Sequence, residues 1–229
     1  MSDFIMRILA VVLLALTAAA SPVQADCKQR PGPGVDWQRC NKQMLQLQNS
    51  DLSGANLQNA YLTGTQLVDS NLAGADLSLS ELVRTSFQRA DLSGVNFEKA
   101  LAHRASFAKA LLHNARLVKA EFVRVDFGEA DLSNADLTKG EFIRNSFQRA
   151  NLSGAILASS NLSRAVFDGA NLAGASFSGA FLHWARFENT DLTSVLDLTQ
   201  AQLETACGDD TTKLPPGLVK PTTWPCPPD

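Results

Sequence analysis

Three histidines, His103, His113 and His183, are the groups in this chain best suited to holding a metal or relaying a proton. Such work needs them to converge, because metal ligands must reach one ion within about 2 Å. No Gly-rich phosphate loop and no Ser-His pairing accompanies them. A second series, Asp51, Asn71, Asp91, Asp131, Asn151, Asn171 and Asp191, suits either cation binding or hydrogen bonding at turns. A third series is cationic: Arg84, Arg104, Arg124, Arg144 and Arg164, with Trp184 continuing the line and Lys99, Lys119 and Lys139 beside it. Four cysteines, Cys27, Cys40, Cys207 and Cys226, complete the reactive groups. Whether any of these meet depends on the elements that carry them.

Those elements repeat. From Leu47 to Leu192 every fifth residue is Leu or Phe, Ala102 alone excepted. Two residues before each such centre the chain is Ala, Ser, Thr, Val or Gly, with Leu45 and Asn145 as the departures. The residue between is often Asp or Asn, as in Ala90-Asp91-Leu92-Ser93-Gly94. A period of five fits neither a helix nor a continuous strand. It requires a backbone that turns a corner every five residues, with one small and one large side chain pointing inward. The composition agrees: the 229 residues are 45% hydrophobic but only 7% aromatic. A net charge of −3, from 20 basic and 23 acidic residues, excludes the basic excess of a nucleic-acid binder.

In this form, Ala-(Asp/Asn)-Leu-x-x, the chain resembles the pentapeptide-repeat proteins. The resemblance implies an all-β fold, a right-handed quadrilateral parallel β-helix with four pentapeptides to a coil. About 7.5 coils at the ~4.8 Å strand spacing give roughly 36 Å of rod, with short terminal caps and a short C-terminal helix. Positions twenty apart then stack, so the sequence can be read in columns. One inward column becomes a Phe ladder from Phe87 to Phe187. Ala102, between Leu82 and Phe122, should leave either a small void or a leaning Phe122. A rod of that length separates the cysteine pairs beyond the ~7 Å reach of a disulfide, so Cys27–Cys40 and Cys207–Cys226 are the expected bonds.

Under the same coil, His103 and His113 fall on opposite faces, and His183 lies four coils, ~19 Å, from His103. No metal, cofactor or enzymatic activity is expected. The Asp and Asn column is expected to serve corner hydrogen bonds. Arg84, Arg104, Arg124, Arg144, Arg164 and Trp184 line one corner, and Lys99, Lys119 and Lys139 the preceding one. Val83, Val123 and Ile143, with Glu81, Glu121 and Glu141, lie between these corners. This is the candidate interaction face, in competition with a solvated corner that the glutamates partly neutralise. Gly54, Gly74, Gly94, Asn114, Asn134, Gly154, Gly174 and Ser194 share another corner and imply positive φ there, which the Arg corner is not expected to require.

The ends read differently. Arg7 precedes an apolar run from Ile8 to Ala20, and Val23-Gln24-Ala25 offers a small-x-small cleavage site. The run is too short to span a bilayer. The expected organisation is a signal peptide over 1–25, a linker and cap over 26–44, the repeat helix over 45–195, and a C-terminal cap over 196–229. Thr199 with Gln202 signals a short helix ending near Gly208, and the Pro-rich tail is expected to lie across the last coil. Cleavage after Ala25 implies a periplasmic or secreted protein with no membrane span in its mature form. The expected function is a non-enzymatic scaffold or protein-interaction module whose partner is an unidentified protein or an anionic envelope component. The alternative is a binder of anionic surfaces or glycans through the Arg/Lys face. Family members that mimic DNA to modulate topoisomerases need a rod dense in negative charge, from which this near-neutral chain departs.

Overall fold

The computed structural model describes residues 25–226, so the expected signal peptide falls outside it except for Ala25. Parallel bridges join residues twenty apart, and a new bridge begins every five residues, from Asp36 with Asn56 to Ser176 with Leu196. On one face the pairing lengthens into two short parallel strands, β1 (Leu101–His103) and β2 (Glu121–Val123), with Leu101 opposite Glu121.

The five-residue unit closes because it satisfies its own amides. In Ala75–Leu79, the Ala75 N–H donates to Leu72 O at 3.0 Å and completes a turn. Asp76 N–H donates backward one coil to Ala55 O at 2.9 Å; Leu77 and Leu79 donate forward to Asn96 O and Glu98 O at 2.8 and 3.0 Å. That leaves the Ser78 amide, which donates to the Asp76 side chain at 2.9 Å. The same cap recurs at Asp51, Asn71, Asp91, Asp131, Asn151, Asn171 and Asp191. Corner hydrogen bonding is therefore the work of this column.

The corners themselves correct an expectation. Every fifth residue from Gly34 to Asn189 has positive φ, and Arg84, Arg104, Arg124, Arg144 and Arg164 lie at 56–57° beside Gly94 at 63°. All four corners of a coil thus share the left-handed conformation, although it costs about 1–2 kcal/mol for a residue with a Cβ. The reason is the forward bond: only a corner so turned aims its N–H at the next coil, as Arg124 does to Ile143 O at 3.0 Å. Ser194 is the one exception to the glycine corner, since its φ is not positive and the register breaks there.

Inside, the centre residues are buried. Phe87, Phe107, Phe127, Phe147, Phe167 and Phe187 stack with centroids 4.8–5.1 Å apart, one ring per coil. Of the two outcomes foreseen at Ala102, the structure shows the leaning ring. Phe122 lies 5.7 Å from both Phe97 and Phe107, the centres that flank Ala102 in the coil before. Asn145 earns its inward place by accepting the Val125 amide at 2.8 Å, while its Nδ2 stays buried without a partner.

The coils begin earlier than the expected boundary at residue 45, because Trp37 is a buried centre and Asp36 already bridges Asn56. Cys27 is bonded to Cys40, with Cα atoms 5.4 Å apart. Over this end the Lys42 ammonium sits 3.6 Å from the Trp37 ring centre and donates to Cys27 O at 2.8 Å. Burial holds its pKa below the usual lysine value, against the pull of Asp26. At the far end, Thr199 and Gln202 form a reciprocal capping box on α1 (Gln200–Thr205). The helix stops before Gly208 because Cys207 returns to the ladder and donates to Ala185 O at 2.7 Å. Cys207 is bonded to Cys226, and the Trp224 ring packs where a Cβ on Gly208 would overlap it. The Phe122→Ala variant should lose about 3–5 kcal/mol by denaturant unfolding, at the top of that range because the ring fills two coils.

Candidate functional site

The four outward faces share one backbone, and their side chains set them apart. On the face that holds β1 and β2, Val83, His103, Val123, Ile143 and Ser163 line a groove of ≈ 570 Å³ with Arg84, Arg104, Arg124, Arg144 and Arg164 along its edge. The structure therefore brings the five arginines of the candidate face together. Their amides donate in turn to His103, Val123, Ile143, Ser163 and His183 carbonyls at 2.9–3.0 Å, so one arginine follows another at each coil. Trp184 takes the same corner at φ 59°, and its ring centre lies 5.7 Å from the Arg164 guanidinium. Lys99, Lys119 and Lys139 are exposed at left-handed corners one pentapeptide upstream.

None of these eight cations has an ion pair among the described residues. The partial neutralisation expected from Glu81, Glu121 and Glu141 does not form; Glu141 instead accepts from Asn161 Nδ2 at 2.7 Å. The contrast lies on the next face. There Arg89 holds Asp69 through two bonds of 2.7 Å, and Glu129 takes both Arg149 at 2.9 Å and Lys109 at 3.6 Å. Opposite charges stacked one coil apart pair; the arginine corner stacks only like charges.

A second recess of ≈ 600 Å³ continues the groove from Ser163 to α1, lined by Phe181, His183, Gln202 and Thr205 among others. Gln202 Nε2 fixes α1 there by donating to Phe177 O and Ala180 O at 2.8 and 2.9 Å. Phe181 is 65% exposed. It is the bridge-column residue of the last arginine-face coil, a signal present in the sequence but passed over there.

Two sequence-family models match the chain. One, described as a pentapeptide repeat region, matches residues 80–157; the other, pentapeptide repeats in eight copies, matches 46–78, 146–183 and 155–193. The chain belongs to the pentapeptide-repeat family. Among solved structures, a trypsin-treated variant of QnrB1, a plasmid-mediated fluoroquinolone resistance protein, shares the fold with a TM-score of 0.66. It is 19% identical, over 79% of this chain and 89% of that one. HetL, a pentapeptide repeat protein involved in heterocyst differentiation regulation from the cyanobacterium Nostoc sp. strain PCC 7120, is 27% identical. That match covers 80% of this chain and 93% of HetL, with a TM-score of 0.42. No curated protein matches the sequence.

Within this pentapeptide-repeat rod the histidines stay apart. His103 lines the groove, His113 meets Ser93 Oγ at 3.2 Å, and His183 lies edge-on to Trp184 at 6.3 Å. Among the described residues no group of three or more His, Cys, Asp or Glu could hold a metal ion, and no helix is long and apolar enough to cross a membrane. One titratable pair was legible by its spacing of twenty and was overlooked: Asp168 and Glu188. Burial, with the adjoining Glu188, raises Asp168 to about 6. Glu188 is itself pushed up by burial, but hydrogen bonds from Arg186 and Asp168 outweigh that and hold it low. The pair thus shares one proton in mildly acid solution.

A carboxyl raised on folding stabilises fully below its unfolded value, 3.8 for Asp, and loses that contribution as pH climbs through about 6. Asp168→Asn should therefore raise the melting temperature relative to the parent more at pH 7.5 than at pH 5. An equal shift at both pH values would show that the pair carries no shared proton.

Proposed function

We propose that the protein is a non-enzymatic interaction module, exported and released by cleavage after Ala25 into the periplasm or the medium. It presents a rod of about 7.5 right-handed, four-sided coils and docks its partner on the arginine face. The observation that carries this reading is the column of five arginines without counter-ions beside a strip of Val83, Val123 and Ile143. Arginine is enriched at protein interfaces, and here it stands beside half-buried aliphatic side chains. A like-charged ladder also repels itself, by about 1 kcal/mol per unit-charge pair at 4 Å in water, and an anionic partner relieves that repulsion. The same column supports the second reading, a binder of anionic surfaces or glycans.

Charge reversal tests the face without disturbing the rod, because Glu129 already occupies a left-handed corner at φ 58°. The triple variant Arg104→Glu, Arg124→Glu, Arg164→Glu should keep the parent's melting temperature and lose binding to envelope components that the parent retains. Binding that survives the reversal would remove the face from consideration. Export is checked separately: expressed in a bacterial host, the protein should leave the cytoplasm with Asp26 as its first residue. The Arg124→Gly variant should gain up to about 1 kcal/mol in stability, through relief of the left-handed corner, while binding more weakly.

A further inference from the structure

We infer that the arginine face is a binding track for a linear acidic polysaccharide of the polyuronate class, one sugar ring per coil. This deepens the second reading above and rests on it. The first ground is pitch. The ladder advances by one coil at each arginine, and the stacked rings on the same axis measure that step as 4.8–5.1 Å. Five arginines therefore present cations at four equal steps, all with the same backbone conformation.

Other linear anions fall out of register. An extended acidic peptide repeats its same-side carboxylates every two residues, about 6.6–6.8 Å, and drifts a whole coil within three steps. Each strand of a DNA duplex advances about 3.4 Å per charge. An acidic helix comes nearer, at about 5.4 Å per turn, but it needs an apolar groove reached at i, i+3, i+4 and i+7. Here the floor is a single row at strand spacing: Val83, His103, Val123, Ile143. A chain of equatorially linked pyranose rings advances by about one ring per coil. Successive rings turn over, so every second ring sets its carboxylate against every second guanidinium, with planar paired hydrogen bonds, and this same-side repeat stays in step with two coils.

The second ground is the end of the track. Beyond Arg164 the column turns aromatic: Trp184 occupies the sixth corner, and Phe181 stands 65% exposed in the adjoining recess beside His183. Flat rings suit the C–H faces of a sugar, whereas a bare polyanion has no use for them. The amides add a third, smaller ground. At Val83 and Ile143 the bridge residue is Glu81 or Glu141, and no side chain takes the amide as Asp and Asn do on other faces. These N–H groups remain as donors along the groove.

The test is calorimetric titration of the protein with β-1,4-linked mannuronate oligomers of defined length. Affinity should climb with length up to five or six sugars and then level off, and it should fall with added salt. The methyl-esterified oligomers, alike in backbone but uncharged, should bind at least tenfold more weakly. The variant Arg104→Glu, Arg124→Glu, Arg144→Glu should do the same, and Phe181→Ala with Trp184→Ala should cost severalfold at unchanged melting temperature. Poly-L-glutamate, inorganic polyphosphate and phosphatidylglycerol vesicles are the comparison probes. If any of these binds as tightly as the uronate oligomers, or if affinity shows no plateau with length, the polyuronate assignment is overturned while the general anion-docking reading stands. If none of the probes binds, both that second reading and this assignment fall.

Discussion

The cross-coil hydrogen bond is the constraint from which the rest of this rod follows. Each pentapeptide sends one amide back a coil and two amides forward, and the spacing of those bonds fixes the rise. A left-handed corner is needed to aim the forward amide, so even Arg, Lys and Trp accept φ near 57° at positions where glycine would be at ease. The inward pair is constrained in turn. The turn bond of the small residue leaves no room for a large side chain, and the centre residue alone reaches the axis, where rings one coil apart meet in van der Waals stacking. The terminal features answer the same bond from the other side. An end coil has amides and carbonyls with no neighbour, and Trp37 with Cys27–Cys40, and α1 with Trp224 and Cys207–Cys226, cover the two ends.

Because the interior is fixed by backbone geometry, the outward columns are free to differ, and here they differ by charge order. One face mixes both signs along its column and closes into ion pairs, Asp69 with Arg89 and Lys109 with Glu129 with Arg149. The arginine face repeats one sign on an identical scaffold and closes none. Exposed ion pairs contribute little stability, so neither pattern is demanded by folding. The distinction therefore belongs to what the faces meet rather than to what holds them up.

The sequence showed the inside of the molecule almost completely, because the period of five records the inward pair at every step and twenty-residue spacing converts position into column. The groove, the arginine ladder and both disulfide partners follow from that arithmetic. The unread parts share a cause: they depend on backbone torsion or on contacts across columns. Nothing in the residue types announces a left-handed corner at Arg124, since glycine marks such corners only where no side chain is wanted. Trp37 fills a centre position in register but outside the Leu and Phe vocabulary, so the first coil was assigned to the cap. Glu81 and Glu121 sit three residues before an arginine, a spacing that pairs on a helix but not across a corner of this kind. Asp168 and Glu188 were available by column, but two acids in a row read as surface until their burial is seen.

A rod of this kind has no deep cleft, so recognition has to be periodic. A ligand that advances by the same step as the coils gains one contact per coil, and these contacts add because none forces the next out of place. A ligand with a different step gains one or two and then loses register, however strong its charge. Specificity then comes from the backbone rise, which hydrogen-bond length holds fixed and no surface substitution alters, while affinity comes from how many successive corners carry the same side chain. On this chain five successive corners carry arginine and the sixth tryptophan, which sets both the length of the partner segment that is read and the end at which a ring is stacked instead of a charge paired.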